Sequence, residues 1–177
     1  TSQNPPFNVM LAYIFHDGLA QVSGTVPANV TPVNDAPDIS NLNGDILSYT
    51  ENAGTVVIDQ GAAAMVSDID SFNFAEGSFT VAVVSGGIAS EDVLSIGTTS
   101  SISVSGGDVS YLGSVIGTVT GGAGGAALVV ALNSLATQPA VMALLQAVGY
   151  TNRSDMPSTA SRIVTFTVND GDGVANG

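Results

Sequence analysis

Two segments of this chain share one pattern 153 residues apart, and that spacing restricts the fold more than any other feature. Tyr13-Ile14-Phe15-His16-Asp17-Gly18 resembles Phe166-Thr167-Val168-Asn169-Asp170-Gly171: aromatic, any residue, apolar, His or Asn, Asp, Gly. A period this long means whole domains in tandem, not a short solenoid unit. After the first copy the chain runs through Val22, Val26 and Val30 into Pro32-Val33-Asn34-Asp35-Ala36-Pro37. After the second copy it reaches Gly177 before any such continuation. The expected organisation is a terminal β-hairpin or donor segment over 1–30, belonging to a preceding repeat. A stiff proline-rich junction linker follows over 31–37. Residues 38–177 then form a β-sandwich repeat that lacks its final strand.

The rest of the chain reads as short strands between turns. Phe7 to Phe15 matches Ser161 to Val168, and Ala20 to Val30 is the second strand of the first copy. Further β-branched or aromatic stretches are 47–50, 56–58, 79–84, 93–96, 102–104, 109–112, 114–119 and 127–132. Strands at this spacing, with 21 glycines available for turns, predict an all-β fold. The expected form is an antiparallel immunoglobulin-like sandwich with a separate N-terminal β-segment. One stretch, about 138–148, breaks the pattern with helix formers. Thr137 stands as N-cap, Pro139 in the first turn and Gly149 as the stop, with Val141, Leu144, Leu145 and Val148 at helical spacing.

Charge narrows the function. There are 15 acidic residues against 2 basic ones, a formal charge of -13. Such a surface repels nucleic acid, and direct membrane insertion lacks the required run of about 20 apolar residues. Cations are its natural complement. With 0 cysteines, thiolate catalysis and zinc-thiolate sites are excluded. An enzyme is not expected. The single histidine, His16, holds the turn position that Asn169 holds in the other copy, and there is no Trp to form a sugar platform beside paired carboxylates.

Four signatures stand out among the dispersed acids: Asn34-Asp35, Glu51, Asp68-Ile69-Asp70 and Asp170-Gly171-Asp172. Taken singly, each is explained by the hydrogen bonds that Asx residues make in turns. Calcium, however, needs about 6–8 oxygen ligands, and loops at one pole of a sandwich can supply them.

In this order, the Asn-Asp linker, the Glu and the Asp-x-Asp loop resemble the calcium-binding layout of cadherin-like repeats. The Pro-Val-Asn-Asp-Ala-Pro string resembles the junctions of cadherin-like and VCBS-type repeats in large bacterial secreted adhesins. That resemblance spans Asp38 to Gly173, including Glu91-Asp92-Val93-Leu94-Ser95-Ile96. It implies Ca²⁺ at Asn34, Asp35, Asp68 and Asp70, joined by Asp17 of the preceding copy. It implies that Glu51, Asp170 and Asp172 face the next junction. The family's Asp-x-Asn-Asp-Asn linker is reduced here to Asn-Asp, which implies fewer ions. The function implied is a structural repeat of an extracellular adhesin, stalk or filament on a bacterial surface, stacked head-to-tail on identical neighbours. The alternative is a carbohydrate- or ligand-binding sandwich module, whose partners would be surface or matrix glycans.

A domain lacking its last strand leaves backbone groups and apolar surface at one sheet edge. The N-terminal segment could fold back, insert into a neighbouring molecule, or be succeeded by further chain. The prolines in the linker disfavour the first of these.

Overall fold

The computed structural model describes residues 8–30 and 33–171, and the fold is all-β with antiparallel pairing and one short helix. The strands are β1 (Asn8–His16), β2 (Gln21–Asn29), β3 (Asp38–Ser40), β4 (Val56–Val57), β5 (Met65–Ser67), β6 (Ser78–Ser85) and β7 (Asp92–Ile96). They continue as β8 (Ile102–Ser105), β9 (Asp108–Tyr111), β10 (Ser114–Gly121) and β11 (Leu128–Leu132). The helix α1 (Gln138–Gln146), β12 (Val148–Asn152) and β13 (Ile163–Asn169) complete the order.

Six strands form the large sheet in the order β13-β6-β11-β10-β9-β8. A smaller sheet, β4-β12-β7, and the pair β3-β5 lie apart from it in hydrogen bonding. The core draws on all of them. Phe79, Val81, Val109, Ile116 and Val130 come from the large sheet, Leu94 and Val148 from the small one, and Val66 from β5. The helix closes the core with Ala140, Val141, Leu144 and Leu145. This sandwich-like packing follows from the period-two alternation in the strands, as in β6, whose Phe79 and Val81 are fully buried.

Most of the expected strands are present within a residue or two, but three local readings differ. The β-prone stretch 47–50 joins no ladder, and Tyr49 instead bonds through its hydroxyl to the Gly54 carbonyl and Thr151. Gly149 does not stop the helix. The helix ends at Ala147, and Gly149 lies inside β12, where a Cβ would meet Thr55 Cγ2 at 2.4 Å. Thr137 is the N-cap by position, though its hydroxyl makes no capping bond.

The N-terminal hairpin stands apart from this body. Among the described residues, β1 and β2 pair only with each other, from Asn8↔Asn29 to His16↔Gln21. Among the described residues, no hydrogen bond or ion pair joins 8–30 to 33–171. The register puts Leu11 opposite Val26, Tyr13 opposite Gly24 and Phe15 opposite Val22, giving one apolar face. All five of its large side chains are exposed, Phe15 at 66% and Val22 at 61%. A lone two-stranded hairpin is marginal in water. This one carries its largest apolar groups uncovered.

The repeat pattern is also structural. His16 Nδ1 accepts the Gly18 N–H at 3.0 Å, and Asn169 Oδ1 accepts the Gly171 N–H at 2.9 Å. Both glycines sit at positive φ, +100° and +85°. One turn chemistry thus ends both β1 and β13.

Candidate metal centre at the linker

The linker is held against the body at the end of β13. Asn34 Nδ2 donates to Asp170 Oδ2 at 2.7 Å, and the Asp35 N–H donates to Asp70 Oδ2 at 3.1 Å. Asp170 is 2% exposed. It is fixed there because the turn after β13 abuts residues 75–77. A Cβ on Gly171 would meet the Ala75 carbonyl oxygen at 2.1 Å, so only glycine fits.

The loop after β5 supplies the other side. Asp68 Oδ1 accepts the N–H groups of Asp70 and Ser71 at 3.1 and 2.9 Å. Gln138, the first residue of α1, donates its side-chain amide to the Asp68 and Ser71 carbonyls, tying this loop to the helix. Asp68 Oδ2 and Asp70 Oδ1 are buried and receive no hydrogen bond. Buried anionic oxygens without donors are costly. Burial pushes the Asp68 carboxyl above its ordinary range against its two backbone bonds, and Asp70 adds to the rise. These orphaned oxygens fit a hard cation, which replaces missing donors without rebuilding the loop. Asp68, Asp70, Asn34 and Asp35 would hold it, with Asp170 orienting the linker amide. Among the described residues, no group of three or more His, Cys, Asp or Glu side chains is set as a metal ion requires, so linker amide and carbonyl oxygens are needed to complete a shell.

The raised Asp68 carboxyl gives a signed expectation. Its ionised form costs stability at neutral pH, and that cost fades as pH falls through the raised value. Asp68→Asn should therefore raise the melting temperature in chelator at neutral pH. The gain expected is about 1 kcal/mol, or roughly 2–4 °C for a chain of this size. Differential scanning calorimetry measures it, and a lower melting point would show that Asp68 is not under strain.

Two of the expected ligands, Asp17 and Glu51, lie elsewhere, and a third, Asp170, changes junction. Asp17 sits in the β1–β2 turn, where Oδ1 accepts the Leu19 and Ala20 N–H groups. The bonds from Ala20 and Leu19 hold its carboxyl below the usual range. That turn is separated from the linker by the whole of β2, nine residues or roughly 30 Å, so Asp17 does not reach the linker of its own chain. Asp170, expected at the next junction, belongs to this one, because β13 runs toward the linker end. Glu51 is exposed at the other end, two residues past Tyr49, and accepts from Asn52 at 3.3 Å. Asp172 lies outside the described residues.

At that other end lies a polar cluster that the sequence did not reveal. Asp92 Oδ1 accepts from Tyr150 Oη at 2.6 Å, Asn152 Nδ2 at 2.9 Å and Arg162 at 3.2 Å. Asp92 Oδ2 accepts the Ile88 N–H at 2.7 Å. Burial pushes the Asp92 carboxyl up, but its bonds from Tyr150, Ile88, Arg162 and Asn152 outweigh that and hold it below the usual range. Burial and the Asp92 bond together raise the Tyr150 phenol. The signal available was Arg162 itself, one of only 2 basic residues in an acidic chain.

Between the two ends runs a groove of about 960 Å³, along the edge of β13 that is unpaired among the described residues. Ile39, Leu47, Tyr49 and Ile58 line one side, with Val164 and Phe166 on the other.

No family model matches this chain, and neither the curated proteins nor the solved structures contain a match to it.

Proposed function

We propose that this chain is a structural repeat of an extracellular adhesin, stalk or filament on a bacterial surface. Identical units stack head-to-tail, and Ca²⁺ stiffens each junction. The observation that carries this reading is the linker clamp. Asn34 and Asp35 are bonded to Asp170 and Asp70 beside two buried carboxylate oxygens that lack any donor. A cation there would neutralise the pair and lock the linker's angle to the body, converting a flexible joint into a rigid one. The dispersed negative charge suits a protein that takes up cations, and rigidity and length would be the product of the repeat.

Thermal unfolding with added calcium tests it. Calcium at a hundred times its dissociation constant should stabilise the chain by about 2.7 kcal/mol, raising the melting point by roughly 5–10 °C. Asp70→Asn should remove that rise. An unchanged melting point in millimolar calcium would end the proposal.

The groove along β13 favours a second reading, a carbohydrate- or ligand-binding module, because its volume is in the range of small-molecule sites. Saturable binding of an oligosaccharide, lost in Tyr49→Ala, would support that reading over the first.

A further inference from the structure

We infer that the free edge of β13, with the groove beside it, accepts the β2 strand of a second copy of this chain, in the register by which β2 holds β1. This rests on the head-to-tail reading above and names the surface through which units join.

The argument starts from the equivalence of β1 and β13. Residues 11, 13 and 15 on β1 correspond to 164, 166 and 168 on β13, and the same side-chain turn bond closes both strands. What β2 recognises in β1, β13 also presents. The hairpin register then pairs Val164 with Val26, Phe166 with Gly24 and Val168 with Val22 of the second copy. Glycine leaves room for an aromatic ring at the middle pair. In the hairpin Tyr13 lies over Gly24 so closely that a Cβ would meet its hydroxyl oxygen at 2.5 Å. Phe166 occupies the position of Tyr13, and it already packs toward the core, 6.2 Å from Phe79 between ring centroids.

The two templates differ in what lies behind them. Leu11, Tyr13 and Phe15 on the apolar face of β1 are 57%, 45% and 66% exposed, whereas β13 is paired with β6 and borders the groove. Exchange keeps the number of ladder bonds nearly constant and moves Val22 and Val26, now 61% and 52% exposed, onto Ile39, Leu47 and Ile58. Burial of apolar area therefore favours β13.

The strand must come from another copy. In this register β2 of the same chain would place Asn29 level with Ser161, while Asn34 is bonded to Asp170. Nine residues of strand separate those levels, about 30 Å. The five residues from Asn29 to Asn34 reach at most about 18 Å. A second copy has no such constraint. Its linker would leave at the Asp92 end, and its body would follow there in line.

Single-cysteine variants of the full chain test this, since the chain has no cysteine of its own. Thr167 and Ser23 are exposed, face solvent and fall opposite each other in the proposed pairing. Mixed and oxidised, Thr167→Cys and Ser23→Cys should give a disulfide-linked heterodimer. A peptide of residues 19–30 in excess should suppress it. Ile163→Cys with Ser23→Cys is the control, four residues out of register and about 13 Å apart, beyond disulfide reach; it should give none. Absence of the first heterodimer, or equal yield in the control, would overturn the inference. Calcium-dependent melting of the same variants reads the junction separately. If melting responds and cross-linking fails, the strand exchange falls while the stacked-repeat reading stands.

Discussion

Replacing Asp92 with alanine is expected to destabilise the body by about 3–5 kcal/mol, the usual cost of stranding a buried charge partner. That is a large part of the roughly 5–15 kcal/mol that holds a domain together. Asp92 is 7% exposed, and its carboxylate accepts from Tyr150, Asn152, the Ile88 N–H and Arg162. Without it, the Arg162 guanidinium keeps its bonds to the Ser158 and Ala160 carbonyls but retains only Glu91, at 3.7 Å, as an anionic partner. The melting point should fall by about 6–20 °C. A double-mutant cycle with Arg162→Met should be strongly non-additive, because the second change removes the charge the first one stranded. A fall of under 2 °C for Asp92→Ala would show that the cluster is solvated and unimportant. The pH dependence has a definite sign. The depressed Asp92 carboxyl contributes stability above its unfolded value of about 3.9, and that contribution is lost as pH falls through the lower folded value. Asp68 acts oppositely, so in chelator the chain should gain slightly on mild acidification before it unfolds in stronger acid.

Deleting residues 1–30 should abolish self-association entirely while leaving a body that unfolds in one cooperative transition. Every buried core residue lies between Ala64 and Tyr150, and no described hydrogen bond ties the hairpin to that core. The body's melting point should thus move by no more than a few degrees. Self-association depends instead on Val22, Gly24 and Val26, which the deletion removes. Sedimentation velocity of the full and shortened chains, with electron microscopy of concentrated samples, measures the difference. Oligomers of unchanged size after the deletion would remove the hairpin from the assembly mechanism.

How far these features could be read from the sequence depended on the distance over which each is determined. The long strands alternate within themselves, so β6, β10, β11 and β13 were legible. β3 and β5 have three residues each, and Val66 is the only fully buried side chain in either, too little for a period to register. Val148, read from the sequence as the last apolar position of the helix, is the first residue of β12, which follows α1 after only Ala147. Gly149 sits there for contact with Thr55, a neighbour 94 positions away. At the junction, the pairing of Asn34-Asp35 with the Asp68–Asp70 loop was legible from their order. Which pole Asp170 joins was not, because that depends on the direction of β13 relative to the linker. Asp17 lies away from the linker of its own chain for a related reason: a turn that closes a hairpin lies at the end remote from where its second strand leads.

The clamp of the linker onto Asp170 also sets how the unit would bear mechanical tension. A pull along the stack enters through Asn34 and Asp35 and arrives at the last residues of β13 and at the loop after β5. It runs along β13, whose seven register pairs with β6 lie across the direction of force. Loaded in that way, the ladder resists in shear, with its hydrogen bonds sharing the strain together instead of opening one after another. A strand lodged in the opposite edge of β13 would be loaded in the same sense, so each subunit contact would be as hard to part as the sheet it extends.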